Sequence, residues 1–162
     1  MNNTHFSIAL CLCLFCFGAI SSAWAQPPND DLCDAISLTL DVPCSALNGN
    51  NTLATKEPNE PDTPNCFWQD VEISTVWYKF IAPASGAVRI STDNAITPDT
   101  ADTEIALHRL NGNCSNLSSL VEINCNQDRG NGEQSIIFSD VLIGGNEYYI
   151  QVSGRSGWQG RY

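Results

Sequence analysis

Glu72-Ile73-Ser74-Thr75-Val76-Trp77-Tyr78-Lys79-Phe80-Ile81-Ala82 turns, in its second half, into a run of β-branched and aromatic residues that alternates. Val76, Tyr78 and Phe80 fall on one face, and Trp77, Lys79 and Ile81 on the other. A period of two with this composition is the signature of a strand. Pro83-Ala84-Ser85-Gly86 follows as a turn in which Gly86 supplies backbone freedom. Ala87–Thr92 then reads as the hairpin partner, with Val88 and Ile90 inward.

The pattern repeats outward from there. Upstream, Ala35–Val42 places Ile36, Leu38, Leu40 and Val42 on one face of a half-buried strand. Asn48–Pro64 is a long loop, extending to about residue 71, in which Pro58, Pro61 and Pro64 forbid a helix; a short strand near Thr52–Thr55 is the one element expected inside it. Downstream, Thr103–Leu110 alternates with Ile105 and Leu107 inward and Glu104, Ala106 and His108 outward. Leu120–Asn124, Gln134–Ile143 and Glu147–Ser153 are further strands, the last with Tyr148, Ile150 and Val152 on one face. Asn111-Gly112-Asn113, Asn126–Gly132 and Gly144-Gly145-Asn146 separate them as turns and loops. Short strands at regular spacing, with no helical segment, predict an all-β antiparallel sandwich or barrel. The chain stops at Gly160-Arg161-Tyr162, which reads as the entry to a strand, so the last strand is expected to be incomplete and the chain part of a larger polypeptide.

The N-terminus has another character. Phe6–Ile20 is an apolar run of about 15 residues, short of the roughly 20 that span a bilayer. Small residues at Ala23 and Ala25 fit a signal-peptidase site, so residues 1–25 read as a signal peptide and 26–162 as one mature domain. No Lys or Arg precedes the run, only His5. The 162 residues hold 18 acidic and 7 basic side chains, a net charge of −11. That balance excludes a nucleic-acid footprint and docking on anionic lipid, and it suits a secreted or cell-surface protein with no stable membrane insertion after cleavage.

Cys11, Cys13 and Cys16 lie in the signal peptide, and none follows the small residues of a lipoprotein site. Cys33, Cys44, Cys66, Cys114 and Cys125 remain. None of these is paired at the close spacing typical of structural zinc, and an exported chain meets an oxidising compartment, so they read as disulfides. Cys114–Cys125 is the most local pair and Cys44–Cys66 the next, leaving Cys33 over.

Catalytic motifs are missing from the sequence. There is no G-x-S-x-G or H-E-x-x-H, and the mature histidine, His108, is expected on a solvent face. The chain is therefore expected not to be an enzyme. Trp68 and Trp158 sit in loops, near Phe67 and Tyr162, where an aromatic either stacks on a sugar or protein ligand or covers the end of the core. Asn50, Asn113 and Asn116 match the glycosylation pattern.

In order and spacing these segments resemble the bacterial pre-peptidase C-terminal (PPC-like) domains over most of Asn29–Tyr162. The similar stretches are Asn29-Asp30-Asp31-Leu32-Cys33-Asp34-Ala35-Ile36, Val76–Gly86, Asp102-Thr103-Glu104-Ile105-Ala106-Leu107, the Cys114…Leu117…Cys125-Asn126-Gln127-Asp128 segment, Gly144–Val152 and Gly157–Tyr162. The resemblance implies a jelly-roll-like sandwich appended to secreted peptidases, surface proteins or adhesins. It implies a non-catalytic accessory or binding module with a protein or polysaccharide ligand. The alternative is the accessory domain of a secreted peptidase or other hydrolase whose catalytic part lies outside this chain. Some members hold calcium, and Asp102, Asn126 and Asp128 stand at matching positions, with Asp99 a weaker addition. Turn formation is the competing use of such residues.

Overall fold

The computed structural model describes residues 25–40, 49–61, 66–67, 74–93, 101–130 and 132–162. Residues 1–24, which hold all but the last residue of the expected signal peptide, and Cys44, Trp68 and Asp99 lie outside these residues. Among the described residues seven strands form: β1 (Ile36–Ser37), β2 (Val76–Ile81), β3 (Val88–Ser91), β4 (Thr103–Leu110), β5 (Leu120–Gln127), β6 (Ile136–Ser139) and β7 (Glu147–Gly154). One sheet has the order β1-β2-β7-β4-β5, and β3 and β6 form a second. Among the described residues no helix is long and apolar enough to cross a membrane.

Alternation explains the shared core. Val76 and Phe80 of β2, Ile105 and Leu107 of β4, and Tyr148, Ile150 and Val152 of β7 are buried together with Ile137 of β6, and Val88 and Ile90 pack against them. These are the residues whose period places them inward. The all-β reading therefore holds. The pairing of β3 does not follow the expectation. Gly86, at φ 69°, sends the chain away from β2, and Val88–Ser91 pairs with β6 instead. Both edges of β2 are already taken, by β1 and by β7. Of the expected strand over Ala35–Val42, the described residues 35–40 hold two strand residues on the sheet edge, with Ile36 and Leu40 exposed. The expected strand near Thr52–Thr55 is a turn that carries Leu53 at φ 64°.

The opposite face of the large sheet departs most from the sequence reading. Glu104, Ala106 and His108 are buried there, not solvent-facing, and so are Trp77, Tyr149, Gln151 and Ser153. Two covering segments account for this. The lead-in, residues 26–35, docks through Asn29, whose carboxamide donates to the Trp77 carbonyl at 2.8 Å and whose carbonyl accepts the Trp77 N–H at 2.8 Å. It brings Leu32 and Ala35 onto Trp77, Leu117 and Tyr149 as a second apolar cluster. Residues 50–60 lie beside the lead-in. Asp30 accepts the Thr55 N–H at 2.7 Å and its hydroxyl at 2.8 Å, and Glu57 accepts the Leu32 N–H at 2.6 Å.

Disulfides fasten the cover. They join Cys33 to Cys114 and Cys66 to Cys125, correcting the local Cys114–Cys125 pair and the pairing of Cys66 with Cys44. Cys125 lies five residues into β5, roughly 15 Å along an extended strand from the turn that holds Cys114. Locality in sequence is therefore distance in space. A register shift between β4 and β5 at Leu107/His108 lets both Leu120 and Cys125 face the cover. Without the extra residue, their odd separation would point them to opposite faces.

Candidate functional site

Under the cover, four polar side chains meet. Glu60 sits between Pro58 and Pro61 and is 3% exposed; Thr75, Gln151 and His108 are 0%, 0% and 2% exposed. The Thr75 hydroxyl donates to Glu60 Oε1 at 2.6 Å, and the Gln151 amide nitrogen donates to the same oxygen at 2.7 Å. Glu60 Oε2 accepts the backbone N–H of Glu57 at 2.9 Å. His108 Nε2 lies 3.0 Å from Gln151 Oε1. Because the Gln151 nitrogen faces the carboxyl group, its oxygen must accept from the imidazole, which places the His108 proton on Nε2. The Trp77 ring leans over His108 with centroids 5.9 Å apart.

The strands dictate this grouping. Trp77 is opposite Gln151 in the β2–β7 ladder, and His108 is opposite Tyr149 in the β4–β7 ladder. Alternation therefore puts Thr75, Gln151 and His108 on one face as near neighbours. The loop brings Glu60 down onto them.

Burial pushes the Glu60 carboxyl up to about 7 against the opposing hydrogen bonds from Thr75, Glu57 and Gln151, and the nearby Glu57 charge adds to the rise. Burial also lowers the His108 pKa, so the ring is neutral. The folded carboxyl thus holds its proton to higher pH than the unfolded one at 4.5. Its contribution to stability is complete below about pH 4.5 and is lost as pH rises through about 7. The size is on the order of 3 kcal/mol. His108 works in the opposite sense: its contribution is present above the unfolded value of 6.5 and is lost as pH falls through the depressed folded value. The pH dependence of the difference between wild type and Glu60→Gln in urea unfolding reports the carboxyl, since any other difference between the two is an offset independent of its titration. The wild-type protein gives up stability relative to the variant between pH 5 and pH 8, and a constant difference across that range contradicts the assignment.

The residues singled out in sequence lie elsewhere. Asn126 Oδ1 accepts the Ile136 N–H at 2.9 Å, and Asn124 donates to the Phe138 carbonyl at 3.0 Å, so both serve to dock β6 on β5. Asp128, at φ 57°, pairs with Arg155 at 3.2 Å. Asp102 has one buried carboxylate oxygen without a partner, and its pKa is raised by burial first, then by the Glu133 and Asp128 charges, against the opposing pull of Arg155. Calcium takes roughly six to eight oxygens. With Asn126 and Asp128 engaged in structure, Asp102, Asn126 and Asp128 do not by themselves fit that ion, and no metal-holding group occurs among the described residues. Trp158 is half-buried and packs against the main core, with its carbonyl accepting from Asn51 at 3.0 Å. It covers the core end.

An apolar cavity of about 100 Å³ lies between the sheets, bounded by Leu38, Ile90, Ile105 and the Tyr78 and Tyr162 rings. It is small beside the roughly 300 Å³ or more of ordinary ligand pockets. Outside, Phe138, Val141 and Ile143 are 57%, 72% and 58% exposed. Phe138 borders a shallow groove with Arg89 and Asp140.

Sequence reasoning missed Glu60, Thr75 and Gln151. Polar residues at the inner positions of strands that end up central, Gln151 in β7 and His108 in β4, were the available signal. No family model, curated protein or solved structure matches the chain.

Proposed function

We propose that the chain is a non-catalytic binding or accessory module of a secreted or cell-surface bacterial protein. The observation that supports this most is the exposed trio Phe138, Val141 and Ile143, three large apolar side chains within one short segment, Phe138 in β6 and Val141 and Ile143 just after it. Apolar side chains gathered at a surface mark contact sites more often than scattered ones do. The polar groups that could do chemistry on an outside substrate are meanwhile sealed beneath the 50–60 segment. Two disulfides agree with an oxidising, extracellular compartment.

Replacing Phe138, Val141 and Ile143 together by Ser tests the reading. The side chains are exposed, so each single change is expected to alter unfolding free energy by less than about 0.5 kcal/mol. Co-sedimentation of the full chain with insoluble polysaccharides and with purified bacterial cell walls is expected to show binding by wild type and loss of it in the triple variant. Equal binding by both moves the contact surface elsewhere. Hydrolysis of the sedimented material by the wild-type chain contradicts the non-catalytic reading.

A further inference from the structure

The geometry points to an intramolecular ester cross-link between Thr75 and Gln151, formed by attack of the Thr75 hydroxyl on the Gln151 carboxamide carbon with release of ammonia. The inference rests on the buried cluster and is independent of the binding surface.

A hydroxyl, a carboxamide, a shared carboxyl group and an imidazole are the parts that such an acyl transfer needs. Thr75 Oγ1 and Gln151 Nε2 lie 2.6 and 2.7 Å from the same Glu60 oxygen and so within about 5.3 Å of one another. Glu60 Oε1 is placed to take the hydroxyl proton as Oγ1 attacks Cδ of Gln151. The carbonyl oxygen that becomes an oxyanion is Gln151 Oε1, and His108 Nε2 stands 3.0 Å from it as the donor. Collapse breaks the Cδ–Nε2 bond. The departing nitrogen takes its proton from Glu60, which it already contacts, and leaves as ammonia. A hydroxyl and an amide become an ester and ammonia; Glu60 and His108 are regenerated, and nothing is oxidised or reduced. A carboxyl group that titrates near neutrality suits both proton transfers.

Sealing favours the product as well as the reaction. Thr75 and Gln151 are wholly buried and Glu60 and His108 almost so, which keeps out the water that would hydrolyse an ester. The link would join the residue before β2 to β7, across the ladder at the centre of the sheet.

Peptide mapping of the full exported chain decides the matter. After reduction of both disulfides and digestion with trypsin, Thr75 lies in Glu57–Lys79 and Gln151 in Gly130–Arg155. The two peptides are expected to remain joined, with a mass below their sum by one ammonia, about 17 Da. Alkaline hydroxylamine should separate them, as it does esters. Thr75→Val, Glu60→Gln and His108→Phe should each give separate peptides, and Thr75→Ser should keep the join. Separate peptides of full mass from the wild-type chain overturn the proposal. So does an ammonia lost elsewhere, as by cyclisation of Gln26, with the two peptides apart. A join that persists in Thr75→Val also overturns it.

Discussion

Trp77→Ala is expected to lower the unfolding free energy by roughly 3–5 kcal/mol, the range for deleting a large aromatic from a core. Trp77 is fully buried and belongs to the second apolar cluster, with Leu32, Ala35, Leu117 and Tyr149 around it. Its backbone also anchors Asn29, so a collapse around the cavity would loosen the lead-in as well. The indole nitrogen is buried without a partner, so its removal gives a little back. Chemical denaturation measures the change. A loss below about 1 kcal/mol would mean that the lead-in and the 50–60 segment do not cover this face.

The second large effect concerns Cys33–Cys114. The bridge spans 81 residues of chain, and loop-closure entropy for that length gives about 4.5 kcal/mol. Replacing both cysteines by Ser is expected to cost about that much and to expose the lead-in first, because Leu32 lies beside Cys33. Limited proteolysis near Asp34 followed over time reports it. Cleavage no faster than in wild type would show the lead-in held without the bridge.

The main core was legible because alternation alone determines which side chains share a face. Val76, Phe80, Ile105, Tyr148, Ile150 and Val152 fell where their period puts them. The second face was illegible for the same reason. Alternation separates one face from the other, but it does not say whether a segment far away in sequence will cover the polar one. Glu104, His108 and Gln151 look solvent-facing until the lead-in and the 50–60 segment are laid over them. The disulfides failed on locality: a loop that appears to bring Cys114 near Cys125 contains an extended strand, and the bulge that turns Cys125 toward Cys66 leaves no mark in the sequence. The pairing of β3 with β6 was hidden because a tight turn at Gly86 suits a hairpin and a crossover equally well.

Sealing of Glu60 beneath the covering segment is what connects the fold to the chemistry of the cluster. Its pKa is the most direct measure of that sealing, read from the side-chain carboxyl carbon by nuclear magnetic resonance across pH 3–9. The structure predicts a single titration near 7, because burial withdraws the carboxyl from water. Titration at the ordinary glutamate value near 4.5 would place the carboxyl in solvent and contradict the covered face.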